Sequence, residues 1–127
     1  MIKASQLLSP IINKLKQELL AANYLQCDET PVQVLNEPGK PAKSTSYMWV
    51  VSKTDPGKHI VLYHYSPSRR GSVPVKLLRG FKGYLQTDGY EGYNQIRSQQ
   101  DVDGVACLAH SRRQFVDAVN AKKKPSK

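Results

Sequence analysis

The chain has 127 residues, enough for one domain with one hydrophobic core. Hydrophobic residues make up 39% of it and aromatic residues 8%, which excludes wholesale disorder. The net charge of +9 favours a polyanionic partner such as nucleic acid or an anionic membrane surface, although a basic protein with neither role fits the charge alone equally well.

Neither a secretory leader nor an apolar run of membrane-spanning length is visible, so we expect a cytoplasmic protein with no membrane partner. Cys27 and Cys107 lie in separate strand-like segments, and their number and spacing fit neither a disulfide framework nor a zinc site. We therefore interpret both as buried, reduced thiols.

The N-terminal segment predicts an amphipathic helix within residues 1–23. Ser9 is a candidate helix cap, with Pro10 in the first turn. Apolar residues then recur at helical spacing, at Ile11, Ile12, Leu15, Leu19 and Leu20. We expect this stripe to pack on its own domain, and the alternative is pairing with a second copy of the chain.

Three strands are predicted next, over residues 24–35, 47–52 and 59–65. The last two are joined by a tight turn at 53–58 that contains Pro and Gly. With a loop at 36–46 between the first two strands and this turn between the last two, the three strands are predicted to form an antiparallel meander. Pro31 lies inside the first strand and cannot donate to a ladder, which indicates a bulge or an unpaired position.

The second half of the chain alternates short helices with short strands. Helices are predicted over 73–78, 89–97 and 109–121, and strands over 83–87 and 105–108. The fold class is therefore α/β, with a mixed sheet of about five strands, a meander followed by parallel strands, and flanking helices. Right-handed crossovers put the fourth strand beside the first.

This strand order can bring two acidic residues together. Asp28 lies inside the first strand and Asp88 follows the fourth, and neighbouring strands are about 4.8 Å apart. If both side chains face the same side, they can share one or two Mg²⁺ or Mn²⁺ ions, which suits phosphodiester transfer. The alternative is a turn-forming Asp88 and a surface Asp28.

Four segments of the chain resemble motifs of one protein family and occur in the expected order. Residues 27–32 (CDETPV) and 87–93 (TDGYEGY) are similar to the first and second acidic motifs of transposases of insertion sequence family 66. Residues 107–115 (CLAHSRRQF) resemble the Cys-x-Ala-His-x-Arg-Arg-x-Phe segment of that family, and 47–50 (YMWV) its second-strand signature. The resemblance covers residues 24 to 121, which leaves 122–127 as a basic tail.

The resemblance implies a ribonuclease-H-like fold and a DDE-type mechanism, in which two Asp and one Glu bind magnesium for hydrolysis and strand transfer. Asp28 and Asp88 match the first two catalytic metal ligands, with Mg²⁺ or Mn²⁺ as cofactor. The implied partner is DNA, both transposon ends and target, with homo-oligomerisation open and no small-molecule substrate.

The same motifs contain further candidates for DNA contact. His110, Arg112 and Arg113 match the basic segment and could touch phosphates. The alternative is surface ion pairs for the arginines and helix capping or packing for the histidine. Tyr90 and Tyr93, beside the acids, are candidates to contact DNA. We expect the remaining aromatics Tyr63 and Tyr84 to fill the core.

The sequence departs from the family in its third acid, because the catalytic Glu of longer members lies beyond the point where this chain stops. Strand alternation directs Glu29 away from Asp28, and Glu91 and Asp117 are expected on helix surfaces. We therefore predict a DDE transposase fragment that is inactive alone. The alternatives are a non-catalytic basic module that binds DNA and a dimerisation module.

Overall fold

The computed structural model describes residues 4–123, which form five strands and four helices around one sheet. The elements in chain order are α1 (Ala4–Leu20), β1 (Tyr24–Gln33), β2 (Thr45–Asp55), β3 (Lys58–Ser66), α2 (Ser72–Leu77), β4 (Gly83–Thr87), a 3₁₀ turn (Glu91–Tyr93), α3 (Asn94–Arg97), β5 (Val102–Ala106) and α4 (Leu108–Lys123). The tail residues 124–127 lie outside the described residues, and Lys122 and Lys123 belong to α4.

The sheet has the order β3-β2-β1-β4-β5. The first three strands pair antiparallel, and β4 pairs parallel with both β1 and β5. The predicted mixed α/β sheet, with a meander on one side and parallel strands on the other, is confirmed. The fourth strand lies beside the first, as predicted.

One face of the sheet is buried under the first three helices, and it forms the core. The strands contribute Leu25, Cys27, Trp49, Val51 and Leu85, and the helices and their connections contribute Leu19, Leu78, Phe81, Tyr93 and Ile96. Each large apolar side chain buried in this way stabilises the fold by about 1.5–3 kcal/mol. The hydrophobic core therefore packs against one face of the sheet only.

The opposite face of the sheet is largely open, and the aromatic residues on it are exposed. Tyr63 is 70% exposed and Tyr84 is 54% exposed. The prediction that both fill the core was wrong. Each alternates along its strand with a side chain on the core face, Leu62 or Leu85, so its own side chain falls on the uncovered face.

Helix α1 begins at least five residues earlier than the cap signal indicated, and Pro10 lies inside it. Ser9 is thus not the N-terminal cap, because the helix-compatible residues before it extend the helix. The apolar stripe packs only at its C-terminal end: Leu19 is buried, whereas Ile11 and Ile12 are exposed. The expectation that the whole stripe packs on this domain was therefore wrong for its first half.

At Pro31, where the sequence predicted a bulge or an unpaired position, there is no bulge, because β1 pairs with β2 in unbroken register from Gln26 to Gln33. Pairing with β4 stops at Gln26. Beyond that residue the second edge of β1 is open, where a residue without an N–H is tolerated. Among residues 4–123, none of the helices combines the length and apolarity that crossing a bilayer requires.

Candidate metal centre

Three side chains with metal-binding atoms meet on the open face of the sheet. Asp28 comes from β1, Asp88 from the residue after β4, and His110 from the first turn of α4. One ligand atom from each lies within 4.8 Å of the other two. The imidazole Nε2 of His110 is 3.8 Å from Oδ2 of Asp28.

The parallel register explains why the two aspartates meet. The last paired residues of β1 and β4 are Gln26 and Gln86, and their side chains are joined by a hydrogen bond of 3.1 Å. Asp28 and Asp88 each follow two residues later. Because side chains alternate along a strand with a period of two, both carboxylates project on the same face as the glutamines.

In each of the two aspartates, one carboxylate oxygen accepts a hydrogen bond from a nearby backbone N–H. Oδ1 of Asp88 accepts from the backbone N–H of Tyr90 at 3.0 Å, and Oδ1 of Asp28 accepts from that of Glu29 at 2.9 Å. Arg97 donates to the carbonyl oxygen of Asp88 at 2.6 Å and to the hydroxyl of Thr87. Within residues 4–123, Oδ2 of Asp88 accepts no hydrogen bond, which leaves it available to a cation.

The start of α4 is tied to the end of β4, and this places His110 beside the carboxylates. The Cys107 N–H donates to the Thr87 carbonyl at 3.0 Å, and the His110 N–H donates back to the Cys107 carbonyl at 3.1 Å. The pKa of His110 is raised, first by the Cys107 thiol and then by the Asp28 carboxylate, against an opposing effect of burial.

The three ligand side chains line an open cavity of about 170 Å³ on the sheet. The two cysteines at its wall differ in chemistry. Burial raises the pKa of Cys27 to about 12, so its thiol stays protonated at neutral pH. Hydrogen bonding to His110 lowers the pKa of Cys107, which makes it the more reactive thiol.

A second, adjoining cavity of about 410 Å³ extends from Asp88 and His110 along α4. It is lined by Arg69, Asp88, Gly89, Tyr90, His110, Arg113, Gln114 and Asp117. The carboxylates thus lie at one end of a groove with two arginines in its wall.

The whole sequence, residues 1–127, matches the protein-family model described as Transposase IS66 family. The chain belongs to this family. The fold is shared with a chain in the CryoEM structure of simian T-cell lymphotropic virus intasome in complex with PP2A regulatory subunit B56 gamma, at a TM-score of 0.51 and 15% identity over 81% of this chain and 38% of that one. The predicted ribonuclease-H-like class is confirmed.

Two curated relatives come from Sinorhizobium fredii (strain NBRC 101917 / NGR234). Uncharacterized protein y4jD is 29% identical over 123 residues, which cover 88% of this chain and 24% of the relative. Uncharacterized protein y4hP is 26% identical over 129 residues, covering 94% and 23% respectively. The IS66-family chain therefore spans about a quarter of the length of these relatives.

On the core side of the same strand, Glu29 of the IS66-family chain has a structural role. Its side chain is only 1% exposed and forms an ion pair with Arg69, with Nη2 at 2.6 Å. It accepts hydrogen bonds from Arg69 Nε at 2.8 Å and from the Tyr93 hydroxyl. As strand alternation predicted, it faces away from Asp28. Glu91 and Asp117 are exposed, and neither joins the ligand group found among residues 4–123.

The structure does not support DNA contact by Tyr93, because this side chain is fully buried. Its ring packs edge-on against Trp49, with centroids 5.8 Å apart, and against Tyr90 at 6.0 Å. Burial also raises the pKa of its hydroxyl. The expectation rested on closeness to Asp88 along the chain, but the 3₁₀ turn directs this tyrosine inward.

Of the other residues predicted to contact DNA, Tyr90 and Arg113 line the groove and Arg112 is not among its lining residues. Tyr90 is half-buried, with the Arg69 guanidinium 3.8 Å above its ring and its hydroxyl donating to the Arg69 carbonyl. Arg113 lines the groove, and Arg112 is exposed on α4. The sequence contained no signal for Arg97, whose contact with Asp88 depends on how α3 packs against the sheet.

Proposed function

We propose that this chain is the part of an IS66-family transposase that supplies two catalytic carboxylates, Asp28 and Asp88. In the whole protein, these residues serve metal-dependent hydrolysis and strand transfer of DNA phosphodiesters. The single observation that carries the proposal is the meeting of both carboxylates at the same level of two parallel strands.

The donor set fits a divalent cation. Mg²⁺ holds oxygen ligands at about 2.0–2.1 Å, so ligand atoms on opposite sides of one ion lie about 4.2 Å apart. Separations of up to 4.8 Å need only a small closing rotation, and the Asp28 side chain is 58% exposed and can turn. When bound, Mg²⁺ or Mn²⁺ supplies Lewis-acid activation of the phosphodiester and of the attacking oxygen.

The basic surface supports DNA as the partner. The net charge of +9 raises the local concentration of a polyanion, and Arg113 stands in the groove that leads from the carboxylates. In this proposal Arg112 and Arg113 contact phosphates and position the strand. Tyr90 supports the groove wall through Arg69 and contacts DNA only with its exposed edge.

The proposal includes the inactivity of this chain by itself. Glu29 is committed to the core, and no further carboxylate joins the two aspartates within residues 4–123. A DDE-type site needs a third acid, which the relatives, about four times longer, have room to supply. The fragment then binds metal and DNA but does not cut.

Calorimetric titration of Mn²⁺ into the untagged chain tests the metal site. We expect binding by the wild type and its loss in Asp28→Asn and in Asp88→Asn, because each variant removes a charged ligand without changing the side-chain volume. Asp103→Asn on the exposed part of β5 is the matched control and keeps wild-type binding. Equal titrations for all four proteins would refute the proposal.

A non-catalytic DNA-binding module is the second candidate, favoured by the missing third acid together with the high positive charge. It predicts DNA binding that weakens steeply with salt and does not change in Asp28→Asn, whether or not Mn²⁺ is present. The metal proposal predicts instead that Mn²⁺ strengthens DNA binding by the wild type and not by this variant.

A further inference from the structure

We infer that His110 is the third metal-ligating residue of this chain, binding through Nε2, and that it shifts the preference of the site from Mg²⁺ towards ions that accept imidazole, such as Mn²⁺ and Co²⁺. The inference rests on the proposed metal site at Asp28 and Asp88. It assigns to the histidine a role beyond the phosphate contact expected from the basic motif.

Backbone geometry fixes the imidazole in place. The bond from Cys107 N–H to the Thr87 carbonyl anchors α4 to the strand that delivers Asp88, and His110 lies in the first turn after that anchor. The histidine and the aspartate are therefore held by the same strand end. A flexible surface histidine would have no such connection to the carboxylates.

The contact between His110 and Asp28 has the spacing of two ligands of one ion. Nε2 and Oδ2 are 3.8 Å apart, which is too long for a hydrogen bond. Two donors that share a cation at about 2.1 Å each are separated by about 3 to 4.2 Å. The observed distance falls within that range.

The other ring nitrogen is turned away from the carboxylates. Nδ1 of His110 is buried and has no hydrogen-bond partner among residues 4–123. Nε2 is consequently the atom offered to the open cavity of about 170 Å³. A ligating imidazole carries its proton on the remote nitrogen, which leaves Nε2 free to bind the ion.

A nitrogen ligand changes which ions the site prefers. Carboxylates alone suit Mg²⁺, Ca²⁺ and Mn²⁺, whereas imidazole adds affinity for later first-row ions and very little for Mg²⁺. Removal of the imidazole should thus weaken Mn²⁺ and Co²⁺ binding much more than Mg²⁺ binding. A histidine that only pairs with DNA phosphate would change none of these affinities.

Electron spin-echo spectroscopy of bound Mn²⁺ tests the inference without requiring activity. The chain has three histidines, so His64→Ala on β3 is a matched control for His110→Ala. We expect a directly coordinated nitrogen in the wild type, confirmed by ¹⁵N-histidine labelling, which is kept in His64→Ala and lost in His110→Ala. Mn²⁺ affinity should fall at least about 10-fold in His110→Ala, with Mg²⁺ affinity changed by less than about 3-fold.

The possible outcomes distinguish the inference on His110 from the proposed metal site at Asp28 and Asp88. If Mn²⁺ binds with dependence on Asp88 but the labelled wild type has no nitrogen coupling, the inference is overturned and the metal site at the two aspartates stands. If the wild type binds no Mn²⁺, both fail. The labelled wild-type measurement decides whether any histidine binds the ion, and a coupling kept in His64→Ala but lost in His110→Ala assigns it to His110.

Discussion

The buried carboxylate of Glu29 gives a stability prediction that can be worked out from its contacts. Glu29→Gln keeps the size of the side chain but removes the charge that forms the ion pair with Arg69 and accepts one hydrogen bond from Arg69 Nε and one from Tyr93. We expect the free energy of unfolding to fall by about 2 kcal/mol, since the Tyr93 hydroxyl is buried and a weakened buried hydrogen bond costs about 1–3 kcal/mol.

The partial exposure of Arg69 limits the loss in the free energy of unfolding. Breaking a fully buried ion pair costs about 3–5 kcal/mol. The Arg69 side chain is 40% exposed and regains water when the pair is broken, so the cost of leaving its charge unpaired is smaller. Glu29→Ala should cost about 1 kcal/mol more than Glu29→Gln, because it also removes buried methylene groups. The ranking of the two variants therefore tests the reasoning as well as the magnitude.

Urea unfolding monitored through Trp49 is the suitable assay, because this is the only tryptophan of the chain and it packs against Tyr93 in the core. Asp101→Asn is the control, since its ion pair with Lys82 is exposed at both ends and should contribute less than about 1 kcal/mol. Glu29→Gln unfolding at the wild-type midpoint, or losing no more than Asp101→Asn, would refute a structural role for Glu29.

Three further predictions concern the surface of the chain. Iodoacetamide should alkylate Cys107 well before Cys27. Because the pKa of Cys107 is lowered, its alkylation rate should rise at a lower pH than that of an ordinary thiol. Mass spectrometry of the peptides measures both rates, and equal rates would contradict the prediction. Arg113→Ala should weaken DNA binding and reduce the salt dependence by about one counterion, and an unchanged slope in fluorescence anisotropy would exclude a phosphate contact. Replacing Ile11 and Ile12 together with Asn should lower self-association in sedimentation experiments if the exposed part of α1 joins two copies, whereas a wild-type monomer at high concentration rules that out.

The sheet topology was predictable because it follows from local sequence patterns and from a general rule on how parallel strands are connected. Alternation and turn residues indicated the strands, and the right-handed crossover rule alone put β4 beside β1. That adjacency alone predicted that Asp28 and Asp88 lie close together. The strand boundaries moved by up to three residues, as at β5, because hydrogen bonding to neighbouring strands decides where a strand ends.

Side-chain environments were harder to predict because they depend on distant elements. Alternation separates the two faces of a strand but does not tell which face is covered, and so Tyr63 and Tyr84 were assigned to the core although they are exposed. Tyr93 was assigned to the surface because it follows Asp88 closely, yet it is buried. The position of His110 depends on a backbone bond between Cys107 and Thr87, which no local pattern reveals.

The fixed register between β1 and β4 makes the site sensitive to insertions and deletions near the two aspartates but not to those in a neighbouring loop. Every paired position differs by 60 in number, and this offset carries Asp28 to the level of Asp88. One residue inserted or deleted between Gln26 and Asp28 would turn the carboxylate into the apolar core, whereas the loop between β1 and β2 can change length without moving it. Among diverging copies of such a gene, short insertions should accumulate in that loop and be absent from the four or five residues around each aspartate.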